Sequence, residues 1–529
     1  MRKSRSRSIR RFRRSRCMGL VESFGEPHCD LLIASRGRPI ATRFSMRFRV
    51  LAILIATCGL ATAQRSSSAG GSPEHRSDVE ITWHIFKPRF MQGVDTVKLM
   101  EPVAALNVQI TNPAHASIVV NRACRTALGN RCVAHVTIPK DPQAMKLSDD
   151  KPSMENHGLR TSESWSPVES APDTQQLQAA ASILKSGKRV AILAGQGALA
   201  ARAEVQKIAE TFGAPVAKAL LGEAVLPDDS PYTTGCIGHL GTQPSQWIMQ
   251  SCDTWLILGS TMPWIDSYAK QGSARAIQID IKADHIGLRY PTELGLVGDL
   301  KTTLAVLLPL LQHKADRYFL TEAQRRMQDW LKLLDQVERV ERSPLRPQMV
   351  ERALSDLIAP DAVISLDCGS NTFFAARHLL VPEGQRLTSP GMLATMAPGL
   401  PFAIAAQFAY PNRQSVAVVG DGGFALLMAE LTTAVQHNLA VKIVVLKNNS
   451  LSEVRFEQQE LGNPPYECDL GPIDFVGFAK VCGADGFLCA TPAEVRPALT
   501  SALRSPKAAI VEAVVDPDEP SAKPEEVRA

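Results

Sequence analysis

Residues 415–450, SVAVVGDGGFALLMAELTTAVQHNLAVKIVVLKNNS, constrain this chain more than any other stretch. Positions 416–419 (VAVV) spell a short buried strand. Gly420-Asp421-Gly422-Gly423 reads as a tight turn that only small residues allow. Phe424, Leu427, Met428, Leu431 and Val435 then recur at i, i+3, i+4, i+7 and i+11, which predicts a helix with one apolar face. Positions 441–446 are the next strand, and Lys447-Asn448-Asn449-Ser450 leaves it. A strand–turn–helix–strand unit makes its two strands parallel, with a right-handed crossover. Parallel strands end at one edge of the sheet, so Asp421 and Asn448 meet there. That is the edge where open α/β sheets bind ligands. One carboxylate, one amide oxygen and a backbone carbonyl suit a hard cation such as Mg²⁺, which completes its shell with phosphate oxygens and water. The glycines let backbone N–H groups approach a phosphate at the helix N-terminus. The pattern reads as a metal-bridged diphosphate anchor.

The 529 residues predict about three domains, and 45% hydrophobic with 21% charged residues excludes wholesale disorder. The formal charge of +5 suggests a nucleic-acid partner, but its distribution argues against one. Residues 1–49 hold 14 basic and 3 acidic side chains, so the remaining 480 carry a net −6. A nucleic-acid-binding fold should carry its basic footprint on the fold itself. The 11 cysteines form no C-x-x-C pair, which excludes a zinc framework and suits a reducing, cytoplasmic compartment.

Residues 1–83 read as a leader. Its first 16 residues are a basic arm, or translated sequence upstream of the real start; a nucleic-acid arm is the lesser reading. Positions 46–63 have the layout of a secretory signal, which would act only if translation began at Met46. The apolar run is too short for a stable membrane span. Residues 84–142 are globular, with a helix over 112–128 and a strand over 132–138. A linker over 143–172 precedes a central α/β domain (173–312), with strands over 189–193, 254–258 and 276–281. A helical connector (313–343), a second α/β domain (344–518) and a Pro/Glu/Lys-rich tail (519–529) follow. The fold class is α/β, with Rossmann-like parallel-sheet domains.

GDG, with an Asn 27 residues after the Asp, resembles the signature of thiamine diphosphate-dependent enzymes. The resemblance implies that Asp421, Asn448 and the Ser450 backbone carbonyl hold the metal. Lys447 stands where the first of a tandem Asn pair often sits, so Asn449 is not the ligand. Gly420, Gly422 and Gly423 would border the diphosphate. Met396, 25 residues before Asp421, matches the bulky residue that supports the V-shaped cofactor; by itself it would read as core packing. Asp367-Cys368-Gly369-Ser370-Asn371-Thr372 resembles the family's first diphosphate-facing turn, with Asn371 as its candidate. The segment 461–484 and the central-domain motifs GQGA (195–198), GCIGHLGT (235–242), LGSTMPW (258–264), QIDIKADHIG (278–287) and VGD (297–299) resemble the pyruvate oxidase and acetolactate synthase branch. Several members bind FAD in the central domain. Glu223 stands where relatives often carry Lys and would disfavour a pyrophosphate, so an FAD site and a domain that only spaces the others both stay open.

The family normally begins with a full pyrimidine-binding domain, whose glutamate promotes the cofactor tautomer that deprotonates the thiazolium carbon. Residues 84–142 match only the last third of that domain. Glu22, Glu26, Glu74 and Glu80 do not lie in a segment resembling the glutamate's. The implied function is a thiamine diphosphate- and Mg²⁺-dependent enzyme that decarboxylates a small 2-oxo acid, acting as a homodimer or homotetramer. The alternative is a non-catalytic cofactor-binding fragment or assembly partner.

Overall fold

The computed structural model describes residues 94–146 and 169–528. The expectations for the leader, for positions 84–93 and for most of the 143–172 linker lie outside the described residues. The chain divides into two compact units, Met1–Val168 and Glu169–Ala529.

In the first unit, β1 (Leu106–Gln109) and β2 (Ala134–Thr137) pair in parallel, from Leu106 opposite Ala134 to Gln109 opposite Thr137. The helix Ala116–Asn130 makes the crossover. A 3-10 turn, Pro113–His115, leads into it: the Asn112 side chain accepts from the Ala114 N–H, and Pro113 needs no N–H partner at the first position. The helix ends at Arg131, which is left-handed at φ 51°. After β2 a short helix, Lys140–Ala144, follows Pro139 as its N-cap. Among the described residues Ile110 and Ala123 are the buried hydrophobics of this unit.

The second unit contains two six-stranded sheets. The central sheet runs β5 (Thr233–Cys236), β4 (Val216–Lys218), β3 (Val190–Ala194), β6 (Thr254–Leu258), β7 (Arg275–Asp280), β8 (Leu294–Val297). The other runs β10 (Arg386–Thr388), β9 (Val363–Leu366), β11 (Ser415–Gly420), β12 (Lys442–Lys447), β14 (Ala509–Val514), β13 (Asp485–Cys489). Every pairing is parallel.

Parallel sheets covered on both faces need strands apolar on both sides. β3 (VAILA) and β6 (TWLIL) are buried at every position. Alternation assigns Ile192 and Ala194 to one apolar cluster and Ala191 and Leu193 to another across the sheet. β11 repeats this, with Val416 and Val418 on one face and Ala417 and Val419 on the other.

Strand order reverses between β9 and β11, because β9 leads outward to β10 while β11 leads to β12 on the other side. The crevice between their C-terminal ends is a topological switch point. It receives the 367–372 turn and the start of the 421 helix. In the central sheet the switch lies between β3 and β6, where Gly195 and Gly259 touch: a Cβ on Gly195 would lie 2.4 Å from the Gly259 oxygen.

Two expectations are corrected here. The apolar positions 424–435 do not form one helix. Asp421–Leu427 is α-helical, Met428–Glu430 is a 3-10 turn, and Leu431–Gln436 is α-helical again. Leu427 leaves helical geometry at φ −132° and is exposed, whereas Phe424 and Leu431 are buried. The segment after Asp516 is packed rather than trailing. Glu519 is buried and accepts from Arg346 and Gln348, each at 2.6 Å. Val527 joins Trp330, Leu334 and Val337 of the connector helix Tyr318–Glu338 in an apolar cluster.

Candidate cofactor and metal site

β11 ends at Gly420, and the helix starts at Asp421 without an intervening turn. Gly420 has φ −80°, and neither Gly422 nor Gly423 has a positive φ, so the glycines are not there for a left-handed turn. Space is the reason. A Cβ on Gly423 would sit 1.8 Å from Asp367 Oδ2. A Cβ on Gly422 would lie 3.0 Å from Leu470 Cδ1, 3.1 Å from Leu451 Cδ2 and 3.4 Å from Met396 Cε. Gly423→Ala is therefore expected to destabilise the fold by about 1–3 kcal/mol through overpacking. Adding Asp367→Ala should recover most of that loss, a coupling that denaturant unfolding of the three variants measures.

Asp421 is 6% exposed. Its Oδ1 accepts from the Gly422 N–H at 2.9 Å and its Oδ2 from the Asn449 N–H at 2.6 Å. Burial raises its pKa, opposed by backbone N–H groups that include these two. The second bond ties the end of β11 to the end of β12, so the strand ends meet as the crossover requires. Asn448 Oδ1 accepts from the Ser450 N–H at 3.0 Å, and its Nδ2 donates to Ser452 Oγ at 2.6 Å. These bonds fix which end of the amide is oxygen. Asn449 takes the left-handed conformation at φ 54° and contributes its backbone, not its side chain, to Asp421. Ser450 is buried and bridges to Asp469, where Leu451 N–H donates to Cys468 O and Leu470 N–H to Asn449 O.

Asn371 is 3% exposed and donates to the Val418 carbonyl at 3.3 Å, inside the switch-point crevice. Its Oδ1 would lie 3.6 Å from a Cβ on Gly420. Met396 is half-buried, with its methyl turned to Gly422. All eight candidate residues, Asn371, Met396, Gly420, Asp421, Gly422, Gly423, Asn448 and Ser450, thus border one sheet edge.

Sequence reasoning assigned no role to Asp367. It directly follows β9, is fully buried, and presents Oδ2 without a hydrogen-bond partner toward Gly423. Burial lifts its carboxyl to about 6, against the pull of the Cys368 and Ala397 N–H groups. An acidic residue at the end of an otherwise apolar strand was the available signal. The backbone around Met396 was equally unforeseen. Gly391, Ala394 and Ala397 have φ of 68°, 46° and 90°. Ala there costs about 1–2 kcal/mol per residue, which only glycine avoids. Ala397→Gly should accordingly raise stability by about 1 kcal/mol, read by denaturant unfolding.

The chemistry of this donor set fits a cation of the Mg²⁺ type. Among the described residues no group of three or more His, Cys, Asp or Glu side chains could hold a metal. One carboxylate with amide and carbonyl oxygens leaves coordination positions for phosphate oxygens, which suits Mg²⁺ and not Zn²⁺.

Glu223 is held inside the central domain. It is buried, 2.6 Å from Lys218 Nζ, and accepts from Cys236 Sγ at 2.7 Å. It is an internal ion-pair partner, not a free acid facing a ligand.

The comparisons with known proteins agree with the geometry. Residues 177–307 match the thiamine pyrophosphate enzyme central domain, and residues 367–513 match the thiamine pyrophosphate enzyme C-terminal TPP binding domain. YdaP of Bacillus subtilis, named as a thiamine pyrophosphate-containing protein, is 34% identical over 431 residues, covering 82% of this chain and 74% of its own. Pyruvate oxidase of Lactiplantibacillus plantarum is 29% identical over 388 residues, 73% of this chain and 62% of its own length. A Methanococcus aeolicus protein assigned as an acetolactate synthase large subunit is 26% identical over 483 residues, 87% and 79% of the two chains. With two domain models matched on the two sheets and the site residues at the predicted edge, this chain belongs to the thiamine pyrophosphate enzyme family.

Proposed function

We propose that the protein is a thiamine diphosphate- and Mg²⁺-dependent enzyme acting on a small 2-oxo acid, in the manner of a pyruvate oxidase or an acetolactate synthase. The observation that carries this is the convergence of Asp421, Asn448 and Ser450 with the crowded Gly422–Gly423 floor at the β9/β11 switch point. Asp421, the Asn448 side-chain oxygen and the Ser450 carbonyl would hold the cation. Gly420, Gly422, Gly423 and Asn371 would border the diphosphate, and Met396 would support the thiazolium ring. When bound, thiamine diphosphate supplies the carbon nucleophile and the electron sink that decarboxylation of a 2-oxo acid needs. The chain's own part is to fix the anchor, orient the ring through Met396 and exclude water with Leu451 and Leu470. FAD is not part of this proposal.

Self-association is part of it. Met392, Leu393, Leu426, Leu461 and Tyr466 are 62–88% exposed and lie on segments that flank the anchor. Exposed large apolar side chains of this kind suit a contact surface. Sedimentation should show a homodimer or larger; a monomer at micromolar concentration would remove this part. The eight cysteines among the described residues are all free thiols, which supports a reducing, cytoplasmic setting. Among the described residues no helix is long and apolar enough to cross a membrane.

The deciding experiment titrates purified protein with thiamine diphosphate and Mg²⁺, then adds pyruvate. Stabilisation with CO₂ release supports the enzyme. Stabilisation without CO₂ release, across a panel of 2-oxo acids, favours a non-catalytic cofactor-binding partner.

A further inference from the structure

The central domain contains a buried ion cluster outside the anchor. Lys218 closes β4 with its side chain fully buried. Its Nζ lies 2.6 Å from Glu223 Oε1, 2.7 Å from Asp228 Oδ1 and 3.0 Å from the Leu226 carbonyl. One ammonium thus gathers the 3-10 turn Leu220–Val225 and its exit. Asp228 and Glu223 together hold Lys218 above the usual lysine range despite its burial. Buried charges are tolerated only when closely paired, so the cluster admits little rearrangement.

The turn is seated on two further sides. A Cβ on Gly222 would lie 2.5 Å from the Ala194 oxygen, so the turn rests directly on the end of β3. Asp228 Oδ2 accepts from the Val381 N–H at 2.8 Å, and the Asp228 N–H donates to the Val381 carbonyl at 3.0 Å. Val381 follows the helix Ser370–His378, whose first turn carries Asn371.

Leu221 projects from this seated turn. Its two methyl groups would lie 3.4 and 3.5 Å from a Cβ on Gly391. Gly391 opens the segment that ends at Met396. Within one chain that segment has little packing of its own, since Met392 and Leu393 are 83% and 88% exposed. Its backbone is strained at Ala394 and Ala397. A strained, exposed segment keeps one shape only if something outside it fixes its ends.

We infer that Leu221, held by the Lys218–Glu223–Asp228 cluster, is a positioning residue for the Met396 segment, so that the central domain shapes the thiazolium side of the site. The inference rests on the proposed cofactor reading. It assigns the central domain a part in cofactor binding that does not depend on a flavin.

The test compares wild type with Leu221→Ala and Leu221→Met. Hydrogen exchange of amides 392–397 is followed in protein without cofactor, with the amides of β11 and β12 as reference. About tenfold faster exchange in the alanine variant, restored by methionine and with the reference unchanged, is expected. The Kd for thiamine diphosphate in saturating Mg²⁺ should rise about tenfold in the alanine variant and return in the methionine variant. Unchanged exchange at 392–397 overturns the inference, even if the melting temperature falls. Faster exchange with unchanged affinity overturns its link to the cofactor. A wild-type protein that binds no thiamine diphosphate overturns the function reading instead, and the exchange result still stands for or against the contact.

Discussion

Asp421→Ala is expected to abolish the rise in melting temperature that thiamine diphosphate with Mg²⁺ produces in the wild-type protein. A ligand at about 100 times its Kd stabilises the folded state by about 2.7 kcal/mol. In a unit of this size that corresponds to a rise of roughly 5 °C. In the proposed site the cation would be held between the chain and the diphosphate, and Asp421 is the only carboxylate among the proposed ligands. Removing it leaves an amide and a carbonyl, which cannot neutralise a divalent cation. The substitution also frees the N–H groups of Gly422 and Asn449, which costs about 1–3 kcal/mol without any ligand. For that reason the ligand-induced rise, not the absolute melting temperature, is the quantity to compare. Asp421→Asn preserves the shape and removes the charge, and it should show the same loss of response. A rise of wild-type size in either variant would overturn the assignment of Asp421.

The second large effect lies away from the site. Glu351, on the helix Pro347–Leu357, is completely buried, and neither carboxyl oxygen has a hydrogen-bond partner. Burial alone pushes its pKa up to about 8. An unfolded glutamate titrates near 4.3. Between those values the folded state holds a proton that the unfolded state has released, so stability falls as pH rises. The loss begins near the unfolded value and is complete once pH exceeds about 8. The full effect is on the order of 5 kcal/mol, at about 1.4 kcal/mol per unit of pKa difference. Glu351→Gln keeps the shape and cannot ionise. It should match wild type within about 1 kcal/mol at pH 5 and exceed it by several kcal/mol at pH 9. Gln348, one turn earlier on the same face, has an unpartnered Oε1 that a donor at 351 could use. Urea unfolding at the two pH values measures the difference. A variant that tracks wild type at both would show that Glu351 does not hold a proton in the folded protein.

The parts of the site readable from sequence were those governed by local spacing. Strands β11 and β12 follow from two apolar runs, and their parallel pairing follows from the helix between them. The position of Asp421 opposite the 448–450 turn is then a consequence of chain geometry. The choice of Asn448 over Asn449 rested on a spacing; in the structure Asn449 is left-handed and engages Asp421 through its backbone. Asp367 was not readable, because its role depends on an oxygen that lies against Gly423 across the crevice, more than fifty residues away in the chain. The break at Leu427 was not readable either. The apolar period runs through it, but Leu427 finds no core to enter and is exposed. The pairing of Glu223 was not readable for the same reason: its partner, Lys218, sits on another element, and only the fold places the two charges 2.6 Å apart.

By itself, then, the sequence determined the α/β class, the crossover unit and the edge at which the polar residues gather. Those depend on residue periodicity and on the handedness of a short connection, which are local properties. The tertiary structure decided why Gly422 and Gly423 must be glycine, which charges are internal, and how the central domain reaches the Met396 segment. These depend on atoms brought within a few ångströms by packing, and close packing is set by the whole core rather than by any window of the chain.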